Sequence, residues 1–300
     1  MAIETIGWIG TGIMGLPMAG HLLKAGYKIQ AFNRTASRAD PLITEGAVRC
    51  GTPAEAADGA DVVISIVSDS PDVKAVFEGV RNDGADGILS QLKPGALCID
   101  MSTIAPSVAR EIAIKVEQAG CTFLDAPVSG GKTGAETGNL AIMVGGSAAD
   151  VARAQPLFDI MGKSTVHGGP VGHGQLIKSC NQILCGLNLL AVSEAVVFAK
   201  RMGLDPDIML KAVAGGAAGS WAVENLGPRM VQRDFAPMFM VDLQQKDLRI
   251  VLDAAAQSNV PLTGTALVSQ LLAANQAKSE GDEGTQCLVK TVARLADVEA

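Results

Sequence analysis

Residues 3–35 decide the fold and read IETIGWIGTGIMGLPMAGHLLKAGYKIQAFNRT. The apolar run Ile3–Ile9 predicts a short buried strand, and a glycine-rich turn follows it. Apolar residues at helical spacing then extend from Ile13 to Lys24, and Gly26 ends this pattern. Because Tyr27–Asn33 predicts a second strand, the whole stretch is a βαβ unit of about 30 residues.

The turn inside this unit carries the complete pattern G-x-G-x-x-G. In dinucleotide-binding units the first glycine permits a tight turn, the second lets the backbone approach a pyrophosphate, and the third lets the helix pack on the strand. The helix N-terminus then faces the anion. A tight turn without a ligand would carry similar glycines, but the position between strand and helix favours a dinucleotide site. The residues concerned are Gly10, Thr11, Gly12, Ile13, Met14 and Gly15.

The end of the second predicted strand bears on the choice of cofactor. NAD sites usually place an acidic residue there, which holds the ribose 2′-hydroxyl. This chain has Asn33, Arg34 and Thr35 instead. These side chains can donate hydrogen bonds to a 2′-phosphate that an acid would repel, and a guanidinium can also stack on adenine. The sequence therefore favours NADP, with NAD as the alternative; a solvated turn with Arg34 in water would need no ligand.

The rest of the chain divides into two patterns. Apolar and β-branched runs predict further strands at 61–67, 96–101, 122–125 and 140–144, with helices between several of them. Beyond about residue 165, where glycines cluster, apolar residues recur at helical spacing. We predict an α/β fold: an N-terminal Rossmann domain with a doubly wound sheet over 1–165, followed by an all-α domain over 166–300.

Composition excludes several classes of protein. The 300 residues are 48% hydrophobic, and their 34 glycines follow no Gly-X-Y period, which excludes collagen-like and disordered chains. A net charge of −7 argues against nucleic acid as a partner. Six scattered cysteines without a C-x-x-C pair, and only three histidines, predict neither a metal site nor disulfides. Because the N-terminus lacks a basic signal region and polar residues interrupt the apolar stretch 183–199, we expect a cytoplasmic protein without a membrane span.

Two later segments carry further candidate site residues. Ser129, Gly130 and Gly131 follow a predicted strand, and the serine with the next two backbone amides can form a concave nest for a carboxylate. An ordinary tight loop is the alternative. Lys178 and Asn181 are three residues apart, so they share a face at the start of the longest predicted helix. A solvated lysine is the alternative there.

Five motifs, which are spread over nearly the whole chain, resemble those of the β-hydroxyacid dehydrogenase family and occur in the same order. One position departs from the pattern: Val67-Ser68 stands where many members have Leu-Pro, and we expect a small effect because contacts there run mostly through the backbone. The five motifs are Gly10-x-Gly12-x-x-Gly15, Asp100-Met-Ser-Thr103, Asp125-Ala-Pro-Val-Ser-Gly-Gly131, Gly172-x-Gly174-Gln-x-x-Lys178-x-x-Asn181 and Lys246-Asp-Leu248.

The resemblance implies roles for individual residues. It implies that Lys178 is the catalytic general acid and base and that Asn181 assists in substrate binding. Ser129, Gly130 and Gly131 are implied to anchor the substrate. The resemblance places the remaining residues beside the cofactor, together with the glycine loop: Val67, Ser68, Thr103 and Lys246.

The second half most resembles the tartronate semialdehyde reductases of this family, through segments 215–220, 233–237 and 239–243. We therefore expect an oxidoreductase that transfers a hydride between NADP(H) and a short β-hydroxy or 3-oxo acid, above all reducing tartronate semialdehyde to glycerate. Alternative substrates are 3-hydroxyisobutyrate, L-threonate and succinic semialdehyde. An imine reductase and a dinucleotide-binding module without turnover are alternatives of other kinds, which the presence of Lys178 disfavours. The resemblance also implies a homodimer or homotetramer.

Overall fold

A computed structural model describes residues 3–80, 84 and 86–298. The chain forms two compact units, one ending at Lys178 and the other starting at Ser179. Each unit has its own hydrophobic core.

The first unit contains a mostly parallel sheet, which has nine strands in the part of the chain described. Its strand order is β3-β2-β1-β4-β5-β6-β8-β7, and β9 pairs with β8. The pairs from β3 to β6 are parallel, β8 runs antiparallel to β6 and β7, and β9 is parallel to β8. The order 3-2-1-4-5-6 is that of the doubly wound dinucleotide-binding fold. The strands are β1 (Thr5–Ile9), β2 (Lys28–Phe32), β3 (Val48–Arg49), β4 (Val62–Ser65), β5 (Leu97–Asp100), β6 (Thr122–Asp125), β7 (Val128–Ser129), β8 (Leu140–Gly145) and β9 (Gly162–Gly169).

Helices cover both faces of this sheet. Successive strand residues belong to different cores: Ile64 packs in one apolar cluster and Val63 in the other. This explains why β4 is a continuous apolar run rather than an alternating one. The helices are α1 (Gly15–Lys24), α2 (Asp40–Thr44), α3 (Pro53–Ala57), α4 (Ser70–Glu78), α5 (Pro106–Gln118), α6 (Gly131–Glu136), α7 (Ala148–Met161) and the start of α8 (His173–Arg201).

Several elements of the first unit differ from the sequence prediction. Helix α7 was not predicted, although Ser147 caps it by accepting a hydrogen bond from the backbone N–H of Asp150 at 3.1 Å. Strand β9 was also missed, because its glycines and exposed polar residues hide the strand pattern. The domain boundary predicted between residues 165 and 166 falls inside β9. The assignment of cofactor binding to 1–165 and of substrate binding and oligomerisation to 166–300 stays a proposal.

The second unit consists of helices in the part described, as predicted. Val196, Leu248, Val268, Leu272 and Leu288 are fully buried in its core. Two short helices occupy residues 221–231, and Leu226 separates them. After the remainder of α8, the helices are α9 (Pro206–Ala214), α10 (Trp221–Asn225), α11 (Gly227–Val231), α12 (Val241–Gln257), α13 (Thr263–Gln276) and α14 (Leu288–Leu295).

Helix α8 is long and apolar enough to cross a membrane by length and composition. About half of its most apolar window is buried inside the protein. A core helix of a soluble protein passes the same test, so this is weak evidence for a membrane span.

Candidate active site

The glycine loop connects β1 to α1. At two of its glycines the surrounding backbone leaves no space for a side chain. Gly10 has φ +101°, and a Cβ added there would collide with the carbonyl of Ile66. A Cβ on Gly15 would collide with the carbonyl of Gly10. By contrast, a Cβ on Gly12 would meet no atom within 4 Å, so the backbone at Gly12 is open to a ligand. The geometry of the three glycines fits the roles expected from the motif, and the contact of Gly12 with a cofactor stays a prediction.

The start of α1 suits an anion. The helix begins at Gly15, has no acidic residue in its first turn, and no side chain caps its first N–H groups. These N–H groups and the helix dipole favour a phosphate at this position. The Thr11 hydroxyl is only 2% exposed and has no hydrogen-bond partner among the described residues. A buried hydroxyl without a partner beside a free helix N-terminus fits the pyrophosphate of a dinucleotide.

The loop after β2 is tied to the glycine loop through Asn33. Its Oδ1 accepts a hydrogen bond from the Thr11 N–H at 2.9 Å, and its Nδ2 donates to the Thr35 carbonyl at 2.8 Å. Asn33 therefore shapes the loop, and its predicted hydrogen bond to a 2′-phosphate stays a prediction. Arg34 is the exposed cation: its side chain is 87% accessible, and its Nη1 lies 3.3 Å from Asp72 Oδ1.

A buried hydrogen-bond network joins the ends of β4 and β5. The hydroxyls of Ser65 and Ser102 each donate to Asp100 Oδ1 at 2.7 Å. Ser102 Oγ also accepts from the Val67 N–H at 2.8 Å, which fixes the backbone predicted to contact the cofactor. Burial raises the pKa of Asp100 to about 7, although the hydrogen bonds from Ser102 and Ser65 partly oppose this.

Asp125 links the end of β6 to the start of α8. Its two carboxylate oxygens accept hydrogen bonds from the N–H groups of Gly172 at 2.7 Å and Gln175 at 2.8 Å. Burial raises the pKa of Asp125 to about 6, against the lowering effect of these two hydrogen bonds. Asp100 and Asp125 stand within the sequence motifs, but neither was predicted to be a site residue. The sequence did contain a clue to both residues, since each is an aspartate at the end of a short, mostly apolar strand.

The structure brings Thr103 and Lys178 onto neighbouring segments of the first unit. Gln175 Nε2 donates to the Ser102 carbonyl at 2.8 Å, and its Oε1 accepts from the Ile104 N–H at 3.1 Å. These two contacts flank Thr103. Lys178 lies one helical turn beyond Gln175 and is only 7% exposed, so it is not a solvated surface lysine.

Ser129, Gly130 and Gly131 lie where β7 leads into α6. Gly130 has φ +137° and Gly131 has φ +59°, both in the region that favours glycine. Gly130 is exposed, so its backbone is accessible to a ligand. The positive φ angles explain why glycines occupy these two positions. That the segment binds a carboxylate stays a prediction.

The second unit holds its own polar cluster, which contains Asn181 and Lys246. Asn181 Nδ2 donates to Gln182 Oε1 at 2.7 Å, and Gln182 Nε2 donates to Asp247 Oδ2 at 2.5 Å. Lys246 Nζ lies 2.7 Å from Asp247 Oδ1. Asn181 and Lys246 are thus connected through two buried residues that the sequence analysis did not select. That either residue approaches the cofactor or the substrate stays a prediction.

The sheet order, the glycine loop and the helix N-terminus are those of a dinucleotide-binding domain. Two family models cover most of the chain: the NAD-binding domain of 6-phosphogluconate dehydrogenase matches residues 5–169, and the NAD-binding domain of NADP-dependent 3-hydroxyisobutyrate dehydrogenase matches residues 172–292. The chain belongs to the β-hydroxyacid dehydrogenase family, as its motifs predicted, and it is an NAD(P)-dependent hydroxyacid dehydrogenase.

Individual relatives resemble the chain over nearly its full length. A probable 3-hydroxyisobutyrate dehydrogenase-like protein of Arabidopsis thaliana is 43% identical, covering 98% of this chain and 86% of its own. The 2-hydroxy-3-oxopropionate reductase of Escherichia coli is 37% identical, covering 97% and 98% respectively. The structure of Mycobacterium tuberculosis 3-hydroxyisobutyrate dehydrogenase with L-serine superposes with a TM-score of 0.88 at 30% identity, covering 97% of this chain and 99% of that one.

Proposed function

We propose that this protein reduces a short 3-oxo acid with NADPH and that tartronate semialdehyde, which gives glycerate, is its main substrate. The observation that carries the proposal is the buried Lys178, which α8 holds one turn from the contacts to the Thr103 loop. The E. coli 2-hydroxy-3-oxopropionate reductase supports this substrate, since it is 37% identical over nearly the whole chain.

The cofactor, when bound, would supply the hydride for reduction of the aldehyde. The chain's own residues bind the acid and manage the proton. The Lys178 ammonium stabilises the negative charge that develops on the carbonyl oxygen and donates a proton to it. In the reverse direction, neutral Lys178 accepts the proton of the hydroxyl group. Its low exposure limits competition from water for this contact.

Substrate orientation falls to the segment after β7. The Ser129 hydroxyl and the amides of Gly130 and Gly131 bind the substrate carboxylate, which fixes the carbonyl carbon for hydride transfer. Asn181 assists in binding the substrate. Lys246 contributes positive charge near the cofactor, and the Lys246–Asp247 ion pair holds its ammonium group in place.

NADP is the preferred cofactor in this proposal. Arg34 provides an exposed guanidinium beside the loop after β2, where a dinucleotide places its adenine ribose. Thr35 adds a hydroxyl, and no acidic residue follows β2 directly. Arg34 pairs with Asp72 in this structure, so a 2′-phosphate has to compete with that carboxylate.

A second candidate is 3-hydroxyisobutyrate. The M. tuberculosis 3-hydroxyisobutyrate dehydrogenase supports it by superposing closely at 30% identity. L-Threonate and succinic semialdehyde complete the set of substrates to compare. All share a carboxylate and a carbonyl or hydroxyl group close to it, which is what Ser129 and Lys178 would bind.

The decisive experiment is a substrate panel followed by absorbance of the reduced cofactor. The aldehyde acids are tested with NADPH and NADH in parallel, and the hydroxy acids with NADP+ and NAD+. We expect the highest kcat/KM with tartronate semialdehyde and NADPH. Lys178→Ala should lower kcat by about 10²–10⁴-fold, the usual contribution of a general acid–base group. Activity within threefold of the parent would refute the role of Lys178, and no turnover of any panel substrate would favour a binding module.

We also propose that the protein is a cytoplasmic homodimer or homotetramer that associates through the second unit. Helix α8 exposes large apolar side chains at Leu184, Leu187 and Phe198. Such a row on a monomer favours contact with a second copy. Light scattering of the parent and of Phe198→Glu tests this: the variant should shift to a smaller species.

A further inference from the structure

We propose that Asp125 and Gln175 form a joint that positions Thr103 and Lys178 for hydride transfer. The joint consists of the Asp125 carboxylate, the Gln175 side-chain amide and the four backbone groups that they contact. This inference rests on the proposed function, because it assigns a purpose to holding Thr103 and Lys178 in place.

The carboxylate half of the joint fixes the start of α8. The first N–H groups of a helix have no partners within the helix, and Asp125 accepts two N–H groups at this end, from Gly172 and Gln175. Asp125 is fully buried at the end of β6. Gly174 permits the close approach, since a Cβ there would meet the carbonyls of Asp125 and Met143 at 2.5 Å. The joint therefore sets the position of the first turn of α8 at the end of β6, and Lys178 follows one turn later.

The amide half of the joint fixes the loop after β5. Gln175 is almost fully buried, and its amide donates to the carbonyl before Thr103 and accepts from the N–H after it. One side chain thus holds both peptide groups that flank Thr103. A shift of this loop would break at least one of two buried hydrogen bonds, which is costly because the separated groups would lack partners.

Each side chain has the chemistry that its place requires. Two N–H donors face Asp125, and an ionised carboxylate offers an acceptor oxygen to each of them. An asparagine would offer one oxygen and would turn its NH₂ group towards the other donor. Gln175 faces one acceptor and one donor, and an amide satisfies both, whereas an ionised glutamate has no proton to donate to the Ser102 carbonyl.

The first test compares Gln175→Met with Gln30→Met as a matched control. Gln30 also uses its amide to bind backbone, donating to the carbonyls of Ala56 and Asp58 at 3.0 and 2.9 Å, but it lies in the middle of β2. We expect both variants to lower Tm. Only Gln175→Met should lower kcat, by about 10–100-fold, while the Kd for NADPH stays within threefold. Asp125→Asn should give the same split between kcat and Kd.

The second test uses Gln175→Glu and pH. Ionised, the new side chain cannot donate to Ser102; protonated, it can donate there and still accept from Ile104. The ratio of kcat between Gln175→Glu and the parent should therefore rise at least fivefold between about pH 9 and pH 6. Asp100 on β5, Asp125 on β6, Arg110 on α5, and His173 and Lys178 on α8 titrate or carry charge around this site, and all remain in both proteins.

The outcomes separate this inference from the proposed function. If Gln175→Met loses no more kcat than Gln30→Met, or if the ratio for Gln175→Glu is flat with pH, the joint is overturned. The proposed function still stands in that case, provided that Lys178→Ala is impaired. If Lys178→Ala is fully active, the proposed function fails, and hydrogen exchange then tests the joint by itself. Unchanged exchange of the Ile104 amide in Gln175→Met would overturn it.

Discussion

Replacing Asp100 by Asn should make the stability of this protein less dependent on pH. Asp100 is fully buried at the end of β5, where its Oδ1 accepts from the hydroxyls of Ser65 and Ser102. Its Oδ2 has no hydrogen-bond partner among the described residues. Burial is the main reason that its pKa rises to about 7, and the charge of Asp125 raises it further.

The magnitude follows from the pKa in the two states. The ordinary pKa of this carboxyl is 3.8, against about 7 in the folded protein. Between these values the folded state holds a proton that the unfolded state has released, so the free energy of unfolding falls as the pH rises. Above pH 7 both states are ionised and the whole penalty is present. At about 1.4 kcal/mol per pKa unit, the loss between about pH 4 and pH 8 is about 4 kcal/mol.

The assay is urea denaturation of the parent, Asp100→Asn and the exposed control Asp58→Asn across this pH range. Asparagine keeps an acceptor for the two serine hydroxyls but leaves an NH₂ group without a partner, a cost that is constant with pH. Relative to the parent, Asp100→Asn should therefore gain about 4 kcal/mol as the pH rises, and Asp58→Asn should gain nothing. A constant difference between Asp100→Asn and the parent would show that this carboxyl does not carry the penalty.

Three further changes have definite expected outcomes. Gly15→Ala should weaken NADPH binding at least tenfold in a fluorescence titration, because its Cβ would displace the carbonyl of Gly10; unchanged Kd would contradict the geometry of the loop. Asp72→Asn should release Arg34 from its ion pair and lower the Kd for NADPH by about two- to fivefold at low salt. This magnitude corresponds to an exposed ion pair of up to ~1 kcal/mol. The Kd for NADH should not change. An equal change in the Kd for NADPH and NADH would contradict the proposed contact between Arg34 and the 2′-phosphate. Leu272→Ala should cost about 2–5 kcal/mol in the second unit by leaving a cavity, measured by denaturation; a cost below about 1 kcal/mol would mean that this core can collapse around the gap.

The sequence predicted the fold where local chemistry and pattern agree. The βαβ unit around Gly10–Gly15 was found because a buried apolar strand, a glycine turn and an apolar pattern at helical spacing follow one another directly in the sequence. Strand β9 escaped because it owes its existence to pairing with β8 rather than to an apolar pattern of its own. Long-range pairing of this kind leaves little trace in a single sequence.

In the candidate site too, residues within local sequence motifs were predicted, and residues that depend on distant partners were not. Lys178 and Ser129 were predicted as site residues because they lie within motifs of reactive residue types, and their roles stay predictions. Gln175 and Asp100 were not selected, since their importance depends on partners far along the chain: Gln175 contacts Ser102 and Asp100 contacts Ser65. Asn33 was selected for the cofactor, yet its amide binds Thr11 and Thr35. A residue type limits what a side chain can do, but only the fold determines which backbone groups it meets.

The two tryptophans of this chain lie in opposite surroundings. Trp8 is fully buried in β1, and its indole N–H donates to the carbonyl of Gly10 at 2.8 Å, within the glycine loop itself. Trp221 begins α10 and is largely exposed. Trp8 should therefore emit at shorter wavelength than Trp221, and light absorbed by Trp8 can pass to a reduced nicotinamide bound nearby. If the glycine loop binds the pyrophosphate as proposed, Trp8 is an intrinsic fluorescent reporter of cofactor binding, attached to that loop by a hydrogen bond.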